Sequence, residues 1–139
     1  MDRRILGRTG QELSIIGLGG VVLVGMSQAE ANAIVGEALE RGINYFDVAP
    51  SYGKDQETEK RLGPALRGHR ESVFLACKTG RRDREGAAEE LRRSLQNLET
   101  DYFDLYQLHA ISSVEDVETA FGPGGAMETF LEAQAQGQV

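Results

Sequence analysis

The sequence predicts an α/β protein built on a parallel sheet. Short apolar runs alternate with helix-length amphipathic segments four times along the chain. The runs are centred roughly 30 residues apart, the size of a strand–helix unit. Such an alternation demands parallel strands joined by right-handed crossovers. A doubly wound sheet and an eight-stranded barrel both satisfy it. One run also ends in chemistry: in INYFDVAPSYG, residues 43–53, an apolar strand stops at Asp47 and Tyr52 follows in the next loop.

The elements follow in order. Arg3–Leu6 and Glu12–Ile15, joined by Gly7-Arg8-Thr9-Gly10, form a β-hairpin. Ile16–Gly20 is a short strand whose glycine end leaves backbone open to close approach. Ser27 and Glu30 have capping-box spacing and begin a helix, with Ala29, Ala33, Ile34 and Ala38 on one face and Gly42 as its stop. The strand Ile43–Asp47 comes next. Glu57–Leu66 has a helical pattern that Gly63-Pro64 divides into two short pieces. Val73–Lys78 is the third strand. Asp83 caps a helix that runs to Leu98, with Ala87, Ala88, Leu91, Leu95 and Leu98 at helical spacing. Phe103–Leu108 is the fourth strand and delivers His109. Ser113 and Asp116 start a last helical stretch that continues to Gly137, broken at Gly122-Pro123-Gly124-Gly125.

A chain of 139 residues fits a single domain, residues 1–139, able to bury roughly two-thirds of its unfolded surface. With 27% charged and 40% apolar residues the composition is globular, not disordered. The net charge of −7 has its signs mixed throughout, which argues against nucleic-acid and anionic-membrane partners. The longest charge-free run, Leu13–Met26, is broken by Gly and Ser and is no membrane span. MDRRILGRTG lacks the apolar core of a signal peptide. A single cysteine, Cys77, excludes an intrachain disulfide and points to a reducing, cytoplasmic setting. Its place in the run Val73–Cys77 makes it a small core residue.

Parallel strands place their C-terminal ends on one rim, so Asp47, Tyr52, Lys78 and His109 converge there. Each alone has an ordinary structural reading: an interstrand ion pair, a loop aromatic, a residue leading into a helix. Four titratable groups at one rim suit proton transfer. An ammonium at Lys78 favours ionisation of a nearby phenol, Asp47 holds that ammonium in place, and His109 can orient a carbonyl oxygen. The set suits protonation of an oxygen as hydride arrives at carbon. It contains neither a nucleophile–base pair nor metal-ligand spacing. His69, in Arg67-Gly68-His69-Arg70, lies in a polar turn and is expected in solvent.

At these residues the chain resembles the aldo-keto reductase family. The matching pieces are LGRTG at 6–10, IIGLGG at 15–20, GINYFDVAPSYG at 42–53, LACKTG at 75–80 and TDYFDLYQLH at 100–109. The resemblance implies a (β/α)8 TIM barrel that reduces aldehydes or ketones to alcohols with NADPH and no metal. It also implies Tyr52 as proton donor, Lys78 and Asp47 as its tuners, and His109 as the residue that positions the substrate carbonyl. Gly19, Gly20 and Asp47 would then lie near the nicotinamide ribose. Val48 and Cys77 stand where the family commonly has Thr, and Thr58-Glu59 stands for its Ser-Glu.

A barrel of this kind needs about 250 residues, so the expectation is its N-terminal half: a hairpin and the first four βα units. Such a half barrel exposes two sheet edges and its apolar inner face, a route to self-association. The polypeptide alone is then expected to be inactive. Two other readings stand beside the reductase: a non-catalytic binding or regulatory subunit, and a half barrel that pairs with itself.

Overall fold

The computed structural model describes residues 1–139. Strands β1 (Arg3–Ile5) and β2 (Glu12–Ser14) pair antiparallel, with Arg3 opposite Ser14, as the hairpin reading expects. Four more strands form one parallel sheet: β3 (Leu18–Gly19), β4 (Tyr45–Asp47), β5 (Phe74–Thr79) and β6 (Leu105–Leu108). Their spatial order is their chain order. With right-handed crossovers, a sheet that never reverses direction carries all its helices on one side. A doubly wound sheet must reverse at a switch point. The order β3-β4-β5-β6 is therefore the start of a barrel wall, and this decides between the two architectures the alternation allowed.

The helices are α1 (Gln28–Glu40), α2 (Glu57–Ala65), α3 (Arg84–Asn97), α4 (Val114–Phe121) and α5 (Ala126–Ala135). The core lies between them and one face of the sheet. Phe46 and Leu75 sit side by side in register, as do Cys77 and Tyr106, and all four pack with Val35, Leu62, Leu91 and Leu98. Burying a side chain such as Phe46 or Leu75 contributes about 2–3 kcal/mol. Strand alternation then turns Asp47, Lys78 and Gln107 to the other face.

Local chemistry explains the helix ends. Ser27 and Glu30 form the expected reciprocal capping box on α1. The Asp83 carboxylate accepts from Gly86 N at 2.7 Å, and the Ser113 hydroxyl accepts from Asp116 N at 3.1 Å. At the end of α1, Gly42 N–H donates to Leu39 O (2.9 Å) and Ile43 N–H to Ala38 O (3.0 Å), the paired bonds of a Schellman cap. Gly42 holds φ at +84°, and a Cβ there would meet Met1 Cβ at 3.2 Å. Gly42→Ala is expected to lower stability by about 1–2 kcal/mol, the cost of left-handed backbone with a side chain. Urea unfolding at unchanged m-value would show it, and an unshifted midpoint would contradict it.

The structure corrects several boundaries. β3 is only Leu18–Gly19, because Gly20 already opens a 3-10 turn that runs to Leu23. β4 and β6 begin two residues later than their apolar runs, and β5 ends at Thr79. On α1 the buried face is Ala31, Val35 and Ala38, with Ile34 half-buried, whereas Ala29 and Ala33 face solvent. Alanine suits either face of a helix, so Val35 marks the inward side. Ala88 on α3 is likewise exposed. α2 is one helix, not two pieces. Pro64 lies in its last turn, where little of the hydrogen-bond ladder remains to lose. Gly63 permits close packing: a Cβ there would fall 2.8 Å from Leu98 Cα at the end of α3.

The apolar residues left in solvent differ from expectation. On the sheet's inner face Phe74 and Ala76 are buried. Exposure concentrates beside β3, at Ile15, Ile16, Val21, Val22 and Val24, and on α4 at Val114, Val117 and Phe121. No helix is long and apolar enough to cross a membrane.

Candidate active site

The four predicted groups meet at the C-terminal rim of the sheet. Asp47 is the last residue of β4, Lys78 the penultimate residue of β5, and His109 directly follows β6. Backbone bonds carry the alignment past the strands: Val48 N donates to Ala76 O at 3.0 Å and His109 N to Thr79 O at 2.8 Å. Tyr52 reaches the same place from the loop after β4. Its carbonyl accepts from Thr58 Oγ1 at 3.2 Å, which ties the loop to α2.

Lys78 Nζ donates to Asp47 Oδ1 and, at 3.2 Å, to Val48 O. The side chains are only 12% and 25% exposed, so the pair is partly shielded from solvent screening. The same ammonium lies 5.3 Å from the Tyr52 ring centroid. The Tyr52 ring meets the His109 imidazole edge-on, with centroids 5.7 Å apart and planes at 89°. Lys78 therefore touches the phenol through its ring, while its hydrogen bonds go to Asp47 and the backbone.

Burial first, and the Lys78 charge second, push the His109 imidazole below its ordinary pKa. It is neutral at neutral pH and keeps one N–H. Ser51 Oγ lies 3.3 Å from His109 Nδ1. With that hydroxyl donating to Nδ1, the ring proton sits on Nε2 and is free to donate. A neutral N–H donor, a phenol and an ammonium held by a carboxylate can bind a carbonyl oxygen and protonate it.

The two glycines divide. Gly19 pairs with Asp47 across β3 and β4, and a Cβ on it would meet nothing nearer than Val21 Cγ1 at 4.0 Å. Gly20 is packed: a Cβ there would lie 2.8 Å from Val48 Cγ2. The open backbone surface at the rim belongs to Gly19. A shallow polar recess of about 240 Å³ adjoins the site, lined by Pro50, Ser51, Gly80 and Glu90 among others. His69 is exposed and Cys77 fully buried, as expected, and burial raises the thiol well above its usual pKa.

Three contributors were given no role at the site by the sequence reading. Ser51, inside the quoted segment, partners His109. Arg82 grips the His109 carbonyl at 2.7 Å. Glu59, fully buried behind the rim, accepts from Ser94 Oγ (2.8 Å), Asn97 Nδ2 (3.1 Å) and Cys77 Sγ (3.6 Å). A signal for Glu59 existed, because it shares the inward face of α2 with Leu62. Arg82 and Ser51 carry no periodic signal at all.

Comparison with known proteins identifies the family. The family described as Aldo/keto reductase family matches residues 15–139. YqkF of Bacillus subtilis, an uncharacterized oxidoreductase, is 32% identical over 100% of this chain and 47% of its own length. An aldo-keto reductase structure from Pseudomonas aeruginosa superposes with a TM-score of 0.84 at 31% identity, covering 98% of this chain and 56% of that one. A Klebsiella pneumoniae aldo/keto reductase solved with NADP and acetate has a TM-score of 0.75 at 26% identity, covering 93% of this chain and 44% of that one. The chain thus spans about half the length of the relatives it matches. A family match over nearly all of the chain, on a barrel-ordered sheet with Asp47, Tyr52, Lys78 and His109 at one rim, leads to one conclusion: the chain belongs to the aldo-keto reductase family.

Proposed function

We propose that this chain supplies the proton-transfer side of an NADPH-dependent reductase of aldehydes or ketones, with Tyr52 as the proton donor. The observation that carries the reading is the convergence of the Tyr52 ring on both Lys78 and His109. His109, neutral, donates its Nε2–H to the carbonyl oxygen and holds it near the phenol. Tyr52 passes its proton to that oxygen as negative charge develops there. Lys78 stabilises the phenolate left behind, and Asp47 keeps Lys78 directed. When bound, NADPH supplies the hydride. Its ribose would lie against the open backbone of Gly19 beside Asp47, and Gly20 helps by keeping that segment close to β4. The NADP in the Klebsiella pneumoniae relative supports the choice of cofactor.

Because the chain spans about half of its relatives, the 139 residues alone are expected to leave NADPH fluorescence unchanged. A hybrid barrel joining residues 1–139 to the C-terminal half of YqkF is expected to oxidise NADPH only when a small aldehyde or ketone is present. A folded, NADPH-binding hybrid without carbonyl-dependent turnover would sink the reading and favour a non-catalytic binding subunit. The exposed Ile15, Ile16, Val21 and Val22 beside the edge strand β3 also favour self-association of the isolated chain. Sedimentation as a monomer at high concentration would contradict that.

A further inference from the structure

We propose that Arg82 is a positioning residue that fixes His109 against Tyr52, a role whose catalytic meaning rests on the reductase reading above. Arg82 lies between β5 and α3, outside the four groups of the rim, and its side chain is only 17% exposed. Its guanidinium donates in four directions: to Gly80 O (3.1 Å), His109 O (2.7 Å), Ala110 O (3.1 Å) and Asp116 Oδ1 (3.0 Å). One planar fork therefore joins the loop that follows Lys78 to the loop that carries His109 and to the first turn of α4. Its own backbone is tied as well, since Arg82 O accepts from Ala126 N at 2.8 Å.

The backbone that Arg82 holds needs holding. Ala110 has φ of +52°, in the left-handed region that residues with a Cβ rarely adopt. The two carbonyls flanking that residue are the ones that share Arg82 Nη2. The His109 side chain, by contrast, has one polar partner, Ser51, at 3.3 Å. Where the imidazole stands is thus set mainly by its main chain, which the bond from His109 N to Thr79 O holds on one side and Arg82 on the other. Asp116 orients the fork, and its second oxygen accepts from Ser112 N at 3.1 Å, so the loop between His109 and α4 closes on the same carboxylate. Lysine cannot replace this arrangement, because an ammonium keeps the charge but lacks the planar fork.

Nuclear magnetic resonance of the 139-residue chain tests this without any turnover. The chain has two histidines, and exposed His69 serves as the internal control. Arg82→Lys and Arg82→Gln are both expected to lose the cross-peaks between the His109 and Tyr52 rings, with His69 shifts and circular dichroism unchanged. Arg82→Gln is also expected to raise the His109 titration midpoint, since a nearby cation is gone while Lys78, Asp47 and Glu90 still face the ring. Full-intensity cross-peaks in Arg82→Lys would overturn the proposal, because charge alone would then suffice. If Arg82→Gln unfolds, Asp116→Asn reads the same geometry through the partner of Nε: weakened cross-peaks support the role and intact ones overturn it. An inactive hybrid barrel with intact wild-type cross-peaks would count against the reductase reading and leave the role of Arg82 standing.

Discussion

Tyr52→Phe, placed in the hybrid barrel, is expected to lower kcat for carbonyl reduction by about 10²–10⁴-fold, the usual contribution of a positioned general acid. The substitution removes one hydroxyl and little else. The contacts that seat this residue are made by its ring, to Lys78 at 5.3 Å and to His109 at 5.7 Å, and by its carbonyl to Thr58. Phenylalanine keeps all three. Stability and cofactor affinity should therefore hold while turnover falls, which separates loss of a proton donor from loss of a fold. Steady-state kinetics with a small aldehyde, together with NADPH fluorescence, reads both quantities. A change of only a few-fold would transfer the acid role to His109, whose N–H reaches toward the same oxygen. No change at all would mean that Tyr52 is not the acid.

Glu59 should show the second large effect, in stability. Its carboxyl is fully buried with three donors and no cation paired to it. Burial raises its pKa, while the bonds from Asn97, Ser94 and Cys77 pull the other way. A raised folded-state pKa means that the folded chain holds this proton more tightly than the unfolded chain does. The resulting stabilisation is fully present below the unfolded value near 4.5 and is lost as pH rises through the folded value. Glu59→Gln should therefore flatten the pH dependence of stability above pH 4.5 and leave neutral-pH stability equal or higher. Glu59→Ala should cost about 3 kcal/mol, because it opens a cavity and strands buried donors. Urea unfolding from pH 4 to 8 checks both variants. A glutamine variant as unstable as the alanine one would mean that the ionised carboxylate is required.

The alternation of strands and helices, the caps at Ser27, Asp83 and Ser113, the stop at Gly42 and the rim residues Asp47, Tyr52, Lys78 and His109 were all legible in the sequence. Caps and turns are local, since their bonds join residues three to five apart, and strand ends need only the apolar run that precedes them. The inward face of α1 was misjudged because alanine marks no side. The single α2 helix was missed because Gly63 answers to Leu98, thirty-five residues away, and not to its own turn.

Strand order belongs to tertiary structure as well. Periodicity says that strands are parallel, but only their pairing shows that β3, β4, β5 and β6 never reverse direction. The sequence by itself determined which groups stand at the rim. Tertiary structure decided how they meet: Lys78 on the ring of Tyr52, Ser51 on His109, Gly20 packed and Gly19 open, and Arg82 bridging two loops. Those contacts join residues as many as fifty-eight positions apart, as Ser51 and His109 are, and such pairs depend on how helices seat strands against one another. No spacing within one segment encodes that.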